Sequence, residues 1–320
     1  PAARATAPGE RDREEARMRE TAGTRKAGLL PGYLAGLAAV AMWAGWIVAT
    51  RLAVTEAVDS ALLAVFRYAI PALALAPVWL RRGIVPRGAS AGALALMTLG
   101  WGAPFVFWSA AGLATVPASL FGPIVPGLMP VTVALLAAAA LGEPVGRGVR
   151  LGAALTAGSV LLILGQWAAV GDIAALSGVP FLLTGMLGWA VYSVSFRRSG
   201  LAPVEATAYV ALYSLPIVAV AVALQGDVLA GVTLGQAAFH AAMQGVVSGL
   251  GAVFAYGIAL QRLGVQRASA LIALVPVCTA LMGWAFLGET LGALDWVAVL
   301  AASVGVAAAN GVFARWIGAG

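Results

Sequence analysis

One cysteine and one histidine are all the chain offers for soft metal ligation. Cys278 and His240 alone cannot build an ordinary zinc or haem site, and no internal disulfide can form. Charge is equally scarce: 10% of the 320 residues are charged, against 62% that are hydrophobic. A soluble domain carries about 25% charged and about 45–50% apolar residues. So few charges cannot wrap so much apolar material, and lipid must cover the remainder. No Gly-Lys-Ser/Thr phosphate loop is present. No short apolar core with a cleavage site precedes the first long apolar run, so a signal peptide is not expected. Neither cofactor nor metal is expected, and the net charge of +6 is assigned to membrane orientation rather than to a nucleic-acid partner.

What is present is a succession of apolar runs. Residues 1–28 stand apart, rich in charge (Arg11, Asp12, Arg13, Glu14, Glu15, Arg17, Arg19, Glu20) and poor in large apolar side chains. They are expected to form a disordered cytoplasmic tail. Runs long enough to span, roughly 17–25 residues, follow at 33–50, 61–80, 90–111, 118–140, 148–168, 178–196, 205–223, 236–260, 268–287 and 295–314. The expected fold is therefore an all-α polytopic membrane protein with ten transmembrane helices. The 40 glycines and 16 prolines lie largely inside these runs, which membrane helices tolerate.

Basic residues resist translocation. With the N-terminus inside, the inner loops and the C-terminus hold Arg81, Arg82, Arg87, Arg147, Arg150, Arg197, Arg198, Arg262, Arg267 and Arg315, while the outer loops hold only Arg51. That ratio of ten to one places both termini in the cytoplasm and the protein in the inner membrane.

A shift of 146 residues superimposes uncommon residues. Trp43-Ala44 meets Trp189-Ala190, Arg51 meets Arg197, Pro130-Val131 meets Pro276-Val277, and Leu141-Gly142-Glu143 meets Leu287-Gly288-Glu289. The shift contains five spans, an odd number, so the copies insert in opposite orientations. The expected units are a first five-helix repeat at 29–168 and an inverted second at 175–317. Inverted repeats characterise secondary transporters, whose halves rock about a midplane site.

These residues resemble the EamA group of the drug/metabolite transporter superfamily. The run Pro276 to Thr290 (PVCTALMGWAFLGET) carries the likeness, with Pro130 to Pro144 (PVTVALLAAAALGEP) as its partner. The Trp-bearing first helix of each half and Phe66-Arg67-Tyr68 fit as well. The resemblance covers about residues 30–315 and implies the ten-helix exporter type, with helices one, three, four, six, eight and nine around a cavity.

On that arrangement, Trp43, Trp46, Trp101, Phe105, Trp108, Trp189, Tyr192 and Tyr256 give an aromatic lining, with Ser193, Gln244 and Ser248 as polar groups facing it. Aromatic rings enclose apolar or aromatic groups, or a cation; alternatively the same rings pack or face lipid. Gly122, Pro123, Pro126, Gly127, Pro130 and Pro276 are hinge or kink candidates, since proline frees backbone carbonyls; a static kink is the alternative. Glu143 and Glu289 are read as structural caps of the helix that follows each. Arg67 either snorkels outward, pairs with Glu56 or Asp59, or binds a substrate carboxylate, the first two being preferred. His240 is read as interfacial, and at 1.5 Å rise per residue Ser248 lies roughly 12 Å from it, too far for a dyad. Gly148/Gly152 and Gly245/Gly249 have close-packing spacing, but 40 glycines produce such pairs by chance.

No carboxylate falls near the midplane, which argues against a proton-coupled exporter of cationic drugs. The expected function is a secondary transporter, an exporter of small neutral or zwitterionic metabolites such as amino acids, working by alternating access and not as an enzyme. Efflux of drugs or other metabolites is the alternative within the fold. A non-transporting receptor or assembly protein, or an intramembrane enzyme, is the alternative outside it. The partners are a small-molecule metabolite and the lipid bilayer; the oligomeric state is left open, a monomer being one option.

Overall fold

The computed structural model describes residues 8–86 and 88–317, with the side chains of residues 8–28, 315 and 317 outside the description. Of the expected disordered tail, residues 1–7 therefore lie outside the described residues, and from Pro8 the backbone is helical. Arg87 and the Arg315 side chain, used above for orientation, lie outside as well.

Ten helical stretches follow the ten apolar runs. They are α1 (Pro8–Thr55), α2 (Ser60–Ala74 with Ala76–Arg82), α3 (Ala91–Leu113), α4 (Ala118–Leu141) and α5 (Arg147–Val170). The second set is α6 (Ile173–Ser199), α7 (Pro203–Gln225), α8 (Leu234–Leu263), α9 (Val265–Leu287) and α10 (Ala293–Ala309). Among the described residues, eight helices are long and apolar enough to cross a membrane. The two pieces of α2, bent by 59°, make a ninth, and α10 is a shorter apolar helix of 17 residues.

The interruptions have local causes. Proline lacks the N–H that would bond four residues back. Pro77 follows the α2 bend, Pro104 follows the break of α3 at Gly102, and Pro276 follows a single tight turn in α9. At the α3 break the freed N–H of Ala103 donates to Ser214 Oγ at 3.1 Å. In α8, residues Ala241–Gly251 form a wider π-helical stretch, a feature frequent at functional sites. The Leu-Gly-Glu triplets have a physical reason: Gly142 and Gly288 end α4 and α9 at φ +71° and +67°. A side chain is disfavoured in that left-handed conformation.

Every described carboxylate from Glu56 onward sits at or between helix ends. Asp59 and Asp172 cap α2 and α6, and Glu205 and Asp295 accept the N-cap N–H of α7 and α10.

The halves interlock. Helix α1 packs on α8 and α6 on α3, while α4 packs on α9, α5 on α10 and α2 on α7. Exchanging the halves, first helix for sixth and so on, maps this set of contacts onto itself, as two copies about a two-fold axis require. Glycines set the closest approaches. A Cβ at Gly152 would lie 2.7 Å from Gly305 O, and one at Gly245 would lie 2.6 Å from Phe66 O. Both four-residue glycine pairs dismissed above as chance thus lie at helix contacts, α5–α10 and α2–α8. Around the outside, Leu161, Val170, Leu224 and Phe286 are 68%, 79%, 83% and 74% exposed. Water would disfavour so much bare apolar surface, and lipid does not.

Candidate functional site

The centre of the bundle is an aromatic cluster with a polar flank. Trp46 stacks on Phe105 at 5.6 Å and meets Phe121 edge-on at 6.3 Å. Phe105 leads to Trp189 at 5.7 Å, and Trp189 to Trp101 at 5.3 Å and Tyr192 at 5.8 Å. Trp101 and Tyr192 close the ring at 4.8 Å. Helices α1, α3, α4 and α6 all contribute, so the cluster joins the two halves. Trp43 lies to one side against Tyr256 at 5.3 Å.

The rings expected to line a solute-sized cavity pack against one another. Beside Trp101 lies a pocket of about 10 Å³, lined by Arg67, Tyr68, Trp101 and Thr207 among others, and no solute fits it. An apolar groove of about 440 Å³ between α3 and α7 opens at the surface.

The polar flank is hydrogen-bonded through. Trp46 Nε1–H donates to Gln244 Oε1 at 2.5 Å, and Gln244 Nε2 donates to Thr50 Oγ1 at 3.0 Å. Thr50 returns its proton to Trp46 O at 2.7 Å. One turn along the π-helical stretch, Ser248 Oγ accepts from Arg67 Nη1 at 2.6 Å. The guanidinium carbon lies 5.1 Å from the Trp46 ring centroid, a cation–π contact. Gln244 is wholly buried. Replacing it by leucine leaves the Trp46 indole N–H without an acceptor. Gln244→Leu is expected to cost about 1–3 kcal/mol, read as a lower unfolding midpoint in detergent; an unchanged midpoint would mean the network carries no stability.

Several sequence expectations are corrected. Arg67 neither snorkels nor pairs with Glu56 or Asp59. It is 5% exposed and crosses to Ser248, because Gly245 and Gly249 bring α8 against the α2 backbone and close the outward route. Trp108 stands apart from the cluster, 39% exposed and stacked on Phe181. His240, read as interfacial, is buried within the protein, lying against Phe239 where α8 enters its π-helical stretch. Ser193 donates to Trp189 O within its own helix. Helix α4 is continuous from Ala118 to Leu141, with Pro123, Pro126 and Pro130 inside it. Gly122 instead marks its crossing with α9, where an added Cβ would stand 2.6 Å from Pro276 Cα.

The two Leu-Gly-Glu carboxylates also behave differently from expectation. Glu289 caps a helix, but not the next one. Its Oε1 and Oε2 accept the N–H groups of Ala118 and Ser119 at the start of α4, at 2.9 and 2.7 Å. Arg51 Nε lies 3.7 Å away. The left-handed Gly288 turns the chain back toward α4, and Asp295 already serves α10. Glu143 caps nothing: it pairs with Arg197 at 3.0 Å, and both side chains are about half exposed. These ion pairs are images of each other under the 146-residue shift, one pair bridging the halves at each end of the molecule.

Arg67 and Thr50 are the site residues that sequence reading underrated or missed. An arginine inside an apolar run was a readable signal; Thr50 carried none.

Comparison with known proteins agrees with this architecture. The EamA-like transporter family matches residues 30–165 and, again, 176–311. A comparison with curated proteins gives no match. One solved crystal structure, described only as that of a protein, aligns over 90% of this chain and 99% of its own. Its sequence identity is 22% and its TM-score 0.59, a likeness in fold.

Proposed function

The chain belongs to the EamA-like transporter family, and from that premise we propose that it is a secondary transporter exporting small neutral or zwitterionic metabolites such as amino acids. On this reading α1 to α10 each cross the inner membrane once, the two five-helix repeats are inverted, and both termini are cytoplasmic. The arginine asymmetry and the odd number of helices per repeat support it.

The observation that carries alternating access is the inequality of two symmetry-related ends. At the end with Arg51, the C-terminal part of α9 and the start of α4 are joined by the Glu289 cap. At the other end the equivalent partners are Glu143 and the start of α9. There Glu143 faces Arg197 and bonds nothing in α9, and Val265 is 72% exposed. One end is sealed and its image is not. Transport then alternates the seal: Glu143 caps α9 as Glu289 releases α4, and the aromatic cluster between them parts to admit solute. On the orientation that the arginine asymmetry supports, the sealed end is the outer one.

Purified protein in liposomes is expected to catalyse counterflow of an amino acid or related metabolite without nucleotide. Trp189, in contact with Trp101, Phe105 and Tyr192, is central to that path. Trp189→Ala is expected to lower counterflow at least ~10-fold while the protein stays monodisperse, whereas Trp189→Phe keeps most of it; the ring area lost to alanine is the cause. If no solute moves, the transport reading fails. If Trp189→Ala carries solute as well as the wild type, the path runs elsewhere.

A further inference from the structure

We propose that the Arg67 guanidinium and the Trp101 indole N–H form the subsite that takes the carboxylate of the transported solute, which makes the substrate class small monocarboxylates, amino acids included. This rests on the transporter reading and replaces its neutral or zwitterionic class by one defined by the carboxylate.

Arg67 is a positive charge inside an apolar bundle, and its compensation is missing. No carboxylate among the described residues lies in ion-pair range of it. The described acids from Glu56 onward are held at helix ends. A guanidinium offers five N–H donors; Ser248 takes one, at 2.6 Å, the neutral Tyr68 hydroxyl lies beside the group, and the Trp46 ring lies against it without providing a lone pair. A buried cation left in this state is costly in a bilayer and persists where it has a use.

A second, independent observation points into the same space. Trp101 Nε1 is buried and has no acceptor among the described residues, and Trp101 lines the same small cavity as Arg67. The other polar groups on its wall have their protons committed. Tyr68 O–H donates to Trp101 O at 2.9 Å, and Thr207 O–H donates to Pro203 O at 2.9 Å. The wall therefore presents unused donors and net positive charge, without an acid. A carboxylate supplies what is lacking: lone pairs in the plane of the guanidinium fork, and one negative charge. The resulting pair is neutral, the cheapest combination to enclose at low dielectric. A phosphate dianion leaves excess negative charge there, and an amine without a carboxylate adds a second positive one with nothing to neutralise Arg67.

The pocket holds only about 10 Å³, too little for a carboxylate, so the subsite forms as the aromatic cluster parts. Trp101 belongs to that cluster through Trp189 and Tyr192. Parting the rings therefore exposes the indole N–H together with Arg67, which couples recognition of the carboxylate to opening.

The test uses the full chain in nanodiscs and in proteoliposomes, with a panel of small monocarboxylic solutes and their amides, L-phenylalanine and L-phenylalaninamide among them. Binding is read from tryptophan fluorescence and transport from counterflow. Acids are expected to bind at least ~100-fold more tightly than their amides. Arg67→Gln should lose that preference while eluting as a monodisperse protein, Arg67→Lys should keep part of it, and Trp101→Phe should weaken acids about 10-fold but not amides. Equal binding of acids and amides by the wild type overturns the subsite, as does undiminished acid preference in Arg67→Gln. Transport confined to amides or amines also overturns it and leaves the transporter reading standing. If no solute of any class moves, that reading falls and the subsite with it.

Discussion

Gly122→Val is expected to wedge α4 from α9 and to leave little folded protein. A Cβ at this position would meet Pro276 Cα at 2.6 Å and Pro276 O at 3.2 Å. These are backbone atoms, held on both sides by buried neighbours, so nothing flexible can give way. Overpacking of a tight core typically costs about 1–3 kcal/mol. A clash of two helix backbones belongs at or above the top of that range, about 3 kcal/mol or more. Gly158→Val supplies the contrast, since nothing lies within 4 Å of a Cβ there. Its expected change is within about 0.5 kcal/mol. The measurement is monodisperse yield and unfolding midpoint in detergent; equal behaviour of the two variants would show that the α4–α9 crossing yields, contrary to the packing described.

The second large effect is expected at Glu289. Glu289→Ala uncaps two N–H groups at the start of α4 and removes the acid beside Arg51. Loss of a capping side chain costs about 0.5–2 kcal/mol, and a buried hydrogen bond to a charged group is worth about 1.5–3 kcal/mol. An effect of about 2–4 kcal/mol follows, mainly as loss of the sealed end rather than global unfolding. Glu143→Ala, its image, breaks only an exposed ion pair and should cost less than about 0.5 kcal/mol. The seal is read by labelling. In a Cys278→Ser background, a cysteine at Ser119, wholly buried here, should resist a membrane-impermeant maleimide applied from outside. Adding Glu289→Ala should make it react. If labelling stays as slow as before, Glu289 does not hold that end closed.

The sequence made much of the architecture legible. Each apolar run became a helical stretch because a bilayer-length segment with few charges has no other way to satisfy its backbone. The repeated Leu-Gly-Glu triplet marked helix ends correctly, since a left-handed Gly142 or Gly288 is a local requirement. The aromatic set was legible in part: Trp46, Trp101, Phe105, Trp189 and Tyr192 do meet, while Trp108 does not. Helical spacing fixes the face a residue occupies but not whether that face meets protein or lipid.

Polar partnerships were the least readable. Arg67 was assigned to the nearest acids in sequence, whereas its partner Ser248 lies 181 positions away. Glu289 was assigned to the following helix, whereas it caps one 170 positions back. Both partners come from the interlocking of the halves, which pairs α2 with α8 and α4 with α9.

Local chemistry alone determined that the chain beyond its charged first 28 residues is a succession of apolar runs, that it breaks where proline and glycine break it, and that it repeats. Each of these depends on a residue and its near neighbours along the chain. Tertiary structure alone decided where the few strong hydrogen-bonding groups found partners. In an interior without water, Arg67, Gln244, Trp46 and Glu289 can be satisfied only by groups that another helix carries to them, and which helix arrives is settled by packing.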